Sequence, residues 1–146
     1  MNNRERSLKL FVVLSKAYKV CMERAVKDMK RNGLSATEFS VLELLYHKGR
    51  TPLQPIGDKI LITSGSITYT VDKLEKKGLL RRVDCPEDRR VTYAEITEEG
   101  KKLFDRIFPS HAETVEALMG GLTPEEKETA IHLLKKLGYY AKDLSF

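Results

Sequence analysis

Small hydroxyl side chains, one tyrosine and several lysines lie on one side of a predicted helix between residues 62 and 80. At about 100° of rotation per residue, the apolar stripe of that helix carries Ile67, Val71, Leu74 and Gly78. The opposite side carries Gly65, Ser66, Tyr69, Asp72, Lys73 and Lys76, with Thr68 on its flank. Hydroxyls and lysines in this arrangement can donate hydrogen bonds to base edges and phosphates, so the pattern fits a helix that enters a DNA groove.

A polar outer face is also normal on any solvated helix, so the neighbouring segments have to decide between the two interpretations. Upstream, residues 56–61 predict a short apolar helix, and the Thr-Ser-Gly sequence at 63–65 predicts the tight turn of a helix-turn-helix. Downstream, Gly78 ends the helix, and residues 80–83 and 91–96 predict two paired strands rich in β-branched residues. Helix, turn, helix and hairpin in this order favour the DNA-binding interpretation.

The loop that joins the two predicted strands has an unusual group of charges at its tip. Asp88 is followed directly by Arg89 and Arg90. Two arginines beside an acid on a projecting loop suit a narrow groove that is lined with phosphates. The hairpin is therefore a second candidate for contact with DNA.

The sequence offers no comparable set of residues for catalysis. It has no nucleophile-base-acid set and no glycine-rich phosphate loop, and His47, His111 and His132 have no evident partners. Cys21 and Cys85 lie too far from any cluster of His or Cys to suggest a metal site or a disulfide framework. We therefore predict neither an enzyme nor a protein that binds a metal or a cofactor.

Length and composition indicate one soluble domain, or a small module with helical additions. The chain has 146 residues, of which 41% are hydrophobic and 32% are charged. No run approaches the ~18 apolar residues of a membrane span, and no signal-peptide core follows the first residues, so a cytoplasmic location is expected. The net charge of +5 is concentrated in residues 1–31, which carry nine Lys/Arg and three Asp/Glu. This balance permits nucleic-acid binding without arguing strongly for it.

The first predicted helix runs from about residue 4 to residue 31, contains no Gly or Pro, and is apolar on more than one side. Its main stripe carries Phe11, Leu14, Tyr18, Met22, Ala25 and Met29, and Val13 and Val20 stand away from that stripe. The second apolar side either meets another subunit or consists of exposed valines beside a single core.

The second helix is predicted to follow a capping box formed by Ser35 and Glu38, and to end at residues 47–49. Two prolines within residues 51–55 predict a turn, because each fixes its own φ and disfavours helical geometry in the residue before it.

Two helices are predicted after the hairpin. Thr97 is the expected N-cap of a long helix, in which Pro109 predicts a kink and not a clean stop. A second capping box at residues 123–126 precedes the last helix, whose Tyr139 and Tyr140 are expected to pack on the first helix or on a partner.

This order of elements and three local motifs resemble the MarR family of bacterial transcriptional regulators. The resemblance covers nearly the whole chain. It implies a mainly α fold with a small β-wing, in which residues 1–146 form a single domain. Residues 33–99 would be the winged helix that binds DNA, and residues 1–32 and 100–146 would be dimerisation helices. The motifs are Ser66-Ile67-Thr68 continuing through Asp72-Lys73-Leu74-Glu75-Lys76-Lys77-Gly78-Leu79, then Asp88-Arg89-Arg90, then Ile96-Thr97-Glu98-Glu99-Gly100.

The resemblance implies a homodimer that binds a pseudo-palindromic operator in double-stranded DNA and usually represses transcription. The recognition helices would enter successive major grooves, and the wings would touch the minor groove on either side. Arg90 would be the minor-groove arginine, with Arg89 beside it and Asp88 bracing the wing. Tyr69 is a departure, because relatives often have arginine at this position. The residues expected to face bases and phosphates are Ser64, Ser66, Thr68, Tyr69 and Lys73.

The resemblance also implies a switch. Family members often release DNA when a small aromatic acid, phenol or quinone fills the crevice between the dimerisation and DNA-binding regions, or when a cysteine is oxidised. Cys21 is expected to be a buried structural thiol, whereas Cys85, in a charged turn and near Arg81 and Arg82 in sequence, is expected to be the more accessible one. The alternative to a regulator is a winged-helix module that binds other proteins and no DNA.

Overall fold

The computed structural model describes residues 1–60 and 66–146, with the backbone alone at Asp58. These residues form a mainly helical fold with one small antiparallel sheet, as the sequence predicted. The elements are α1 (Asn3–Arg31), α2 (Ala36–Lys48), β1 (Thr51–Pro52), α3 (Ile56–Lys59), α4 (Ile67–Lys76), β2 (Leu80–Asp84), β3 (Thr92–Ile96), α5 (Glu98–Leu118) and α6 (Pro124–Lys142). The predicted Thr-Ser-Gly turn, and Leu61 at the end of the preceding helix, lie outside the described residues.

Side-chain caps begin α2, α5 and α6 where the sequence predicted them. The box at α2 is complete, because the Glu38 N–H donates to Ser35 Oγ at 3.1 Å and the Ser35 N–H donates to Glu38 Oε1 at 3.0 Å. Equivalent boxes begin α1 and α6, and Thr97 caps α5. Gly78 ends the segment of α4 with φ at 76°, a left-handed conformation that costs glycine least.

The three strands are ordered β1-β3-β2, and all pairs are antiparallel. In the hairpin, Leu80 pairs with Ile96 and Asp84 pairs with Thr92. The prediction that residues 51–55 form only a turn was wrong, because Thr51 and Pro52 form an edge strand against β3. An edge position tolerates proline, since the missing N–H is not needed by a further strand.

One apolar core joins the winged-helix elements and reaches into both long helices. The Phe39 and Phe104 rings lie 5.2 Å apart between their centroids, which links α2 to α5. Ala25 and Met29 bring the last turns of α1 into the same core. The fully buried side chains of this core include Phe39, Leu42, Leu45, Ile56, Val71, Leu74, Leu80 and Phe104.

The outer parts of the long helices have a different environment. Helix α5 continues through Pro109 to Leu118, so the proline does not end it. Helix α6 has no buried residue, although it is amphipathic, and the first two-thirds of α1 is largely exposed. No helix among residues 1–60 and 66–146 is long and apolar enough to cross a membrane.

Candidate nucleic-acid interface

Helix α4 presents the polar face that the sequence predicted, and it begins one turn later than the start of the predicted segment. Val71 and Leu74 are fully buried, whereas Thr68 and Tyr69 lie on the outer side and Tyr69 is 67% exposed. Ser66 is the N-cap: its Oγ accepts the Tyr69 N–H at 3.3 Å. A hydroxyl that accepts one bond still has a proton to donate, so capping and contact with DNA are compatible. Ser64 lies outside the described residues.

Lys73 lies on the exposed side of α4 but is also close to a buried acid. Its side chain is 47% exposed, and its Nζ is 3.8 Å from Glu38 Oε1. Lys77, one turn further on, donates to Glu38 Oε2 at 2.7 Å. Sequence reasoning identified Glu38 only as part of a capping box, because nothing local indicates that α4 packs on the start of α2.

The wing tip is organised around Asp88. Its Oδ1 accepts the Arg90 N–H at 3.0 Å and Arg90 Nε at 3.2 Å, and its backbone carbonyl accepts the Val91 N–H at 3.1 Å. The hydrogen bonds from the Arg90 side chain and backbone hold the pKa of Asp88 below its usual value. The Arg90 side chain is still 91% exposed, and Arg89 is exposed beside it. Asp88 therefore shapes the turn while the guanidinium stays available to a ligand.

A charge network that the sequence analysis missed connects the wing to α4. Arg82 on β2 donates from Nη2 to Asp72 at 2.5 Å and from Nη1 to Glu75 Oε1 at 2.6 Å. Its backbone N–H also donates to Glu75 Oε2 at 3.2 Å. The hydrogen bond to Asp72 is the main reason that the pKa of Arg82 is raised. This network fixes the angle between the candidate recognition helix and the hairpin.

The cysteines do not differ in exposure as the sequence analysis expected. Cys21 and Cys85 are both half-buried free thiols, so Cys21 is not a fully buried residue and Cys85 is not clearly more accessible. The arginines near Cys85 in sequence also have other partners. Arg81 donates to Glu95, on the neighbouring strand, at 2.5 Å, and Arg82 is engaged with α4.

The expectation that the histidines have no partners was wrong for His111. Its Nδ1 lies 3.1 Å from Asp28 Oδ2, and its ring centroid is 4.5 Å from that of Phe39. Asp28 also accepts from Thr114 Oγ1 at 3.3 Å. This buried group ties α1 to α5, and it has the form of a structural contact between helices.

An apolar cleft of about 470 Å³ lies between α2, α5 and α6. Its aromatic wall is Phe108, and His111 lies at its inner side. Glu43, Glu116 and Lys127 add charges at its edge. A cleft of this volume is in the range that small organic ligands occupy.

Comparisons with known proteins identify relatives along nearly the whole chain. The profile described as MarR family matches residues 34–92. The HTH-type transcriptional regulator MhqR of Bacillus subtilis is 55% identical over 138 residues, which cover 94% of this chain and 95% of that protein. These relatives are transcriptional regulators and not enzymes, which confirms the prediction on that point.

Solved structures share the fold. The MarR family regulator Sco3205 of Streptomyces coelicolor, determined in complex with DNA, superposes with a TM-score of 0.81 at 24% identity, over 94% of this chain and 88% of that one. NadR in complex with 4-hydroxyphenylacetate superposes with a TM-score of 0.73 at 25% identity, over 86% of this chain and 89% of that one. The predicted winged helix-turn-helix architecture is thereby confirmed.

Proposed function

Because the chain belongs to the MarR family of DNA-binding transcriptional regulators, we propose that it is a homodimeric repressor that binds a pseudo-palindromic operator. In this proposal α4 of each subunit enters a major groove, and each wing reaches a neighbouring minor groove. As a regulator of transcription it would work in the cytoplasm, next to the chromosome.

The main support for a DNA-binding surface is that α4 has one buried face and one exposed face. Val71 and Leu74 anchor the helix in the core, while Thr68, Tyr69 and Lys73 project from it. Ser66 lies at the start of the helix, where side chains reach base edges most easily. Ser64, just before it, is included in the proposed surface from its position in the sequence.

The wing supplies the second part of the proposed surface. Arg90 is almost fully exposed, and it is held at the tip by Asp88. A narrow minor groove has an enhanced negative potential, which favours insertion of an arginine side chain. We assign Arg90 to that groove, and Arg89 to the adjoining backbone.

One subunit leaves many apolar side chains of α1 and α6 exposed, and this exposure supports a dimer. Ile131 and Leu134 of α6 are 49% and 50% exposed, and Phe11 of α1 is 71% exposed. Contiguous apolar surface of this kind marks an interface. A second copy is the occupant that fits, because α1 and α6 of two subunits can cover each other around a two-fold axis. The other large exposed apolar residues of these helices are Leu8, Leu10, Val12, Val13, Tyr18, Val20, Leu133, Leu137, Tyr139 and Tyr140.

The division into residues 33–99 for DNA binding and residues 1–32 and 100–146 for dimerisation is part of the proposal. The core supports this division, except that α1 and α5 also contribute residues to the winged-helix core. Met29 of α1 and Phe104 and Ile107 of α5 are buried in the winged-helix core, so both helices serve two regions. A displacement of either helix would therefore move the DNA-binding surfaces relative to each other.

We further propose that a small aromatic or phenolic compound is the effector and that it binds the cleft beside Phe108 and His111. The cleft lies where the winged helix meets the long helices, so a ligand there can change their relative position. A thermal shift with 4-hydroxyphenylacetate, the ligand of NadR, is the first test. Val115→Trp should fill the cleft and abolish the shift, whereas a shift of equal size in that variant would place the ligand elsewhere.

Cysteine oxidation is a second candidate for release, supported by the partial exposure of both thiols. Peroxide or a quinone should weaken DNA binding by the wild type and spare the variant that lacks the reactive thiol. If the oxidant still weakens DNA binding by Cys85→Ser but no longer weakens binding by Cys21→Ser, Cys21 is the reactive thiol. The reverse result would identify Cys85. Equal sensitivity in both single variants and in the double variant would exclude a cysteine switch.

The experiment that tests the function is selection of duplexes from a random pool by the wild-type protein, followed by a gel shift. Enrichment of a site with two-fold symmetry would support the proposal. An exclusively protein-binding winged helix would enrich no sequence and would show no affinity that depends on salt, and this result would favour the alternative.

A further inference from the structure

Glu38 is a buried carboxylate whose cationic partners are Lys73, in the proposed recognition helix, and Lys77, the C-cap residue of that helix. The side chain is 3% exposed, with Lys77 Nζ at 2.7 Å and Lys73 Nζ at 3.8 Å. Burial by itself would raise the pKa of Glu38. The hydrogen bonds from Lys77 and from the Ser35 N–H, with the charges of both lysines, outweigh that effect and hold the pKa below its usual value. Glu38 is therefore ionised in the folded protein near neutral pH.

The two lysines are not equivalent. Lys77 is in direct contact with the carboxylate, and its side chain is 36% exposed. Lys73 is further away, and its side chain is 47% exposed. Because Lys77 and the Ser35 N–H already satisfy Glu38, Lys73 can leave the carboxylate for a phosphate at little cost. If Lys77 moved to a phosphate, the buried Glu38 carboxylate would lose its closest cationic partner, which is costly.

This geometry also reduces the positive charge that α4 offers to DNA. Phosphate contacts supply affinity for any sequence, whereas base contacts supply specificity. Glu38 pairs with Lys77 and shares Lys73, so it lowers the part of the DNA affinity that does not depend on sequence. This pairing does not involve Ser66, Thr68 and Tyr69, which are proposed to contact bases. The same contact fixes the end of α4 against α2, and a fixed helix matters more for base contacts than for phosphate contacts.

We propose that Glu38 is a positioning residue that determines DNA specificity, because it withholds Lys77 from phosphates, shares Lys73 with them, and holds α4 in register for base contacts. This inference rests on the proposed DNA-binding function and goes further by assigning a negative contribution to a residue that touches no DNA. It predicts that removal of the Glu38 charge increases binding to unrelated sequences.

Two roles of Glu38 can be separated by substitution. Glu38→Gln removes the charge, but its amide oxygen can still accept the Ser35 N–H in the capping box. Ser35→Ala is the matched control, because it removes the hydroxyl that caps α2 and leaves the carboxylate and both lysines in place. Thermal unfolding of each variant establishes that it is folded, and Ser35→Ala is expected to be the less stable of the two.

The test measures binding by fluorescence anisotropy to a random-sequence duplex and to a duplex selected by the wild type, between about 50 and 200 mM salt. Glu38→Gln should bind the random duplex severalfold more tightly, with the slope of log K against log salt steeper by about 0.9 for each subunit. The preference for the selected duplex should fall. Ser35→Ala should keep the wild-type slope, and Lys77→Gln added to Glu38→Gln should return the slope toward the wild-type value.

The outcomes distinguish this inference from the function on which it rests. If the wild type binds and Glu38→Gln keeps both the slope and the preference, Glu38 has a structural role alone and the inference is overturned. Weaker binding to both duplexes at an unchanged slope would overturn it in the same way. If the wild type binds neither duplex in a salt-dependent manner, the proposed DNA-binding function itself fails.

Discussion

The winged-helix region and the terminal helices differ in how completely each buries its own apolar residues. In the former, Phe39, Leu42, Val71 and Leu74 are 0% exposed. In the latter, α6 has no buried residue, and Tyr140 is 72% exposed. The first region is therefore complete within one chain, whereas the second needs another surface to cover it. We expect substitutions in the two regions to separate oligomeric state from DNA contact.

The charges follow the same division. Arg82 ties the wing to α4, and Glu38 ties α4 to α2, so polar contacts inside the winged helix set the geometry of the proposed DNA-binding face. On α6 the described polar contacts are the capping box and a bond within the first turns. This contrast indicates that apolar packing would position the subunits of the proposed dimer, whereas ion pairs orient α4 and the wing within the winged helix.

The largest effect is expected from Leu134→Lys, on the exposed apolar side of α6. A buried leucine contributes about 1.5–3 kcal/mol, and a two-fold interface loses it twice, so the dimer should weaken roughly 100-fold or more. Light scattering should show a shift from two chains to one, with loss of operator binding. His132→Lys places a lysine on the side of α6 away from Leu134 and should leave the mass unchanged. A dimer that survives Leu134→Lys would move the interface away from α6.

A smaller effect is expected from Arg82→Ala, which cuts the link between wing and α4. These groups are partly exposed, so the cost should be close to 1 kcal/mol in stability and about tenfold in operator affinity. Arg81→Ala is the control, because the described hydrogen bonds of the Arg81 side chain are to Glu95 within the sheet. The mass should stay that of a dimer in both variants. Equal loss of affinity in the two would show that the link to α4 has no special role.

Arg90→Ala should weaken binding about fivefold, close to 1 kcal/mol, because a cation leaves the minor groove. The loss should be greatest on operators with A·T-rich flanks, where the groove is narrow and its potential most negative. Competition between duplexes that differ only in their flanks measures this directly. A loss that is independent of the flanks would reassign Arg90 to a backbone contact.

The smallest effects separate Ser66 from Thr68. Ser66→Ala removes an N-cap and should lower the free energy of unfolding by an amount in the lower part of the ~0.5–2 kcal/mol range for caps. Thr68→Ala should leave stability within about 0.5 kcal/mol of wild type, because its side chain is exposed. Both should relax base preference in a selection experiment. If Ser66→Ala changes stability alone, Ser66 is a cap and makes no base contact.

The sequence predicted those features that depend on local patterns. Helical spacing located α1 and α5, and the box at Ser35 and Glu38 placed the start of α2 at the correct residue. The strands of the hairpin were also correct within one residue. The short strand at Thr51 and Pro52 was missed, because its partner lies more than forty residues further along the chain.

The remaining features depend on contacts between distant residues. His111 meets Asp28 across 83 positions, and Lys77 meets Glu38 across 39. Each of these residues has an ordinary local interpretation as a helix-surface or capping residue. Only the packing of α1 on α5, and of α4 on α2, brings the partners together. The exposed face of α4 was predictable because it depends on helical spacing alone, whereas the network that orients α4 was not.

Light scattering of the protein bound to a selected duplex is the most direct test of the proposed dimeric regulator. We expect a complex that contains two chains of 16.7 kDa for each duplex, formed on a single symmetric site. Two chains are expected because a second copy would cover the exposed apolar side of α6 and because two proposed recognition helices would read the two half-sites. A complex with one chain for each duplex, or a folded monomer that binds the selected site with full affinity, would contradict it.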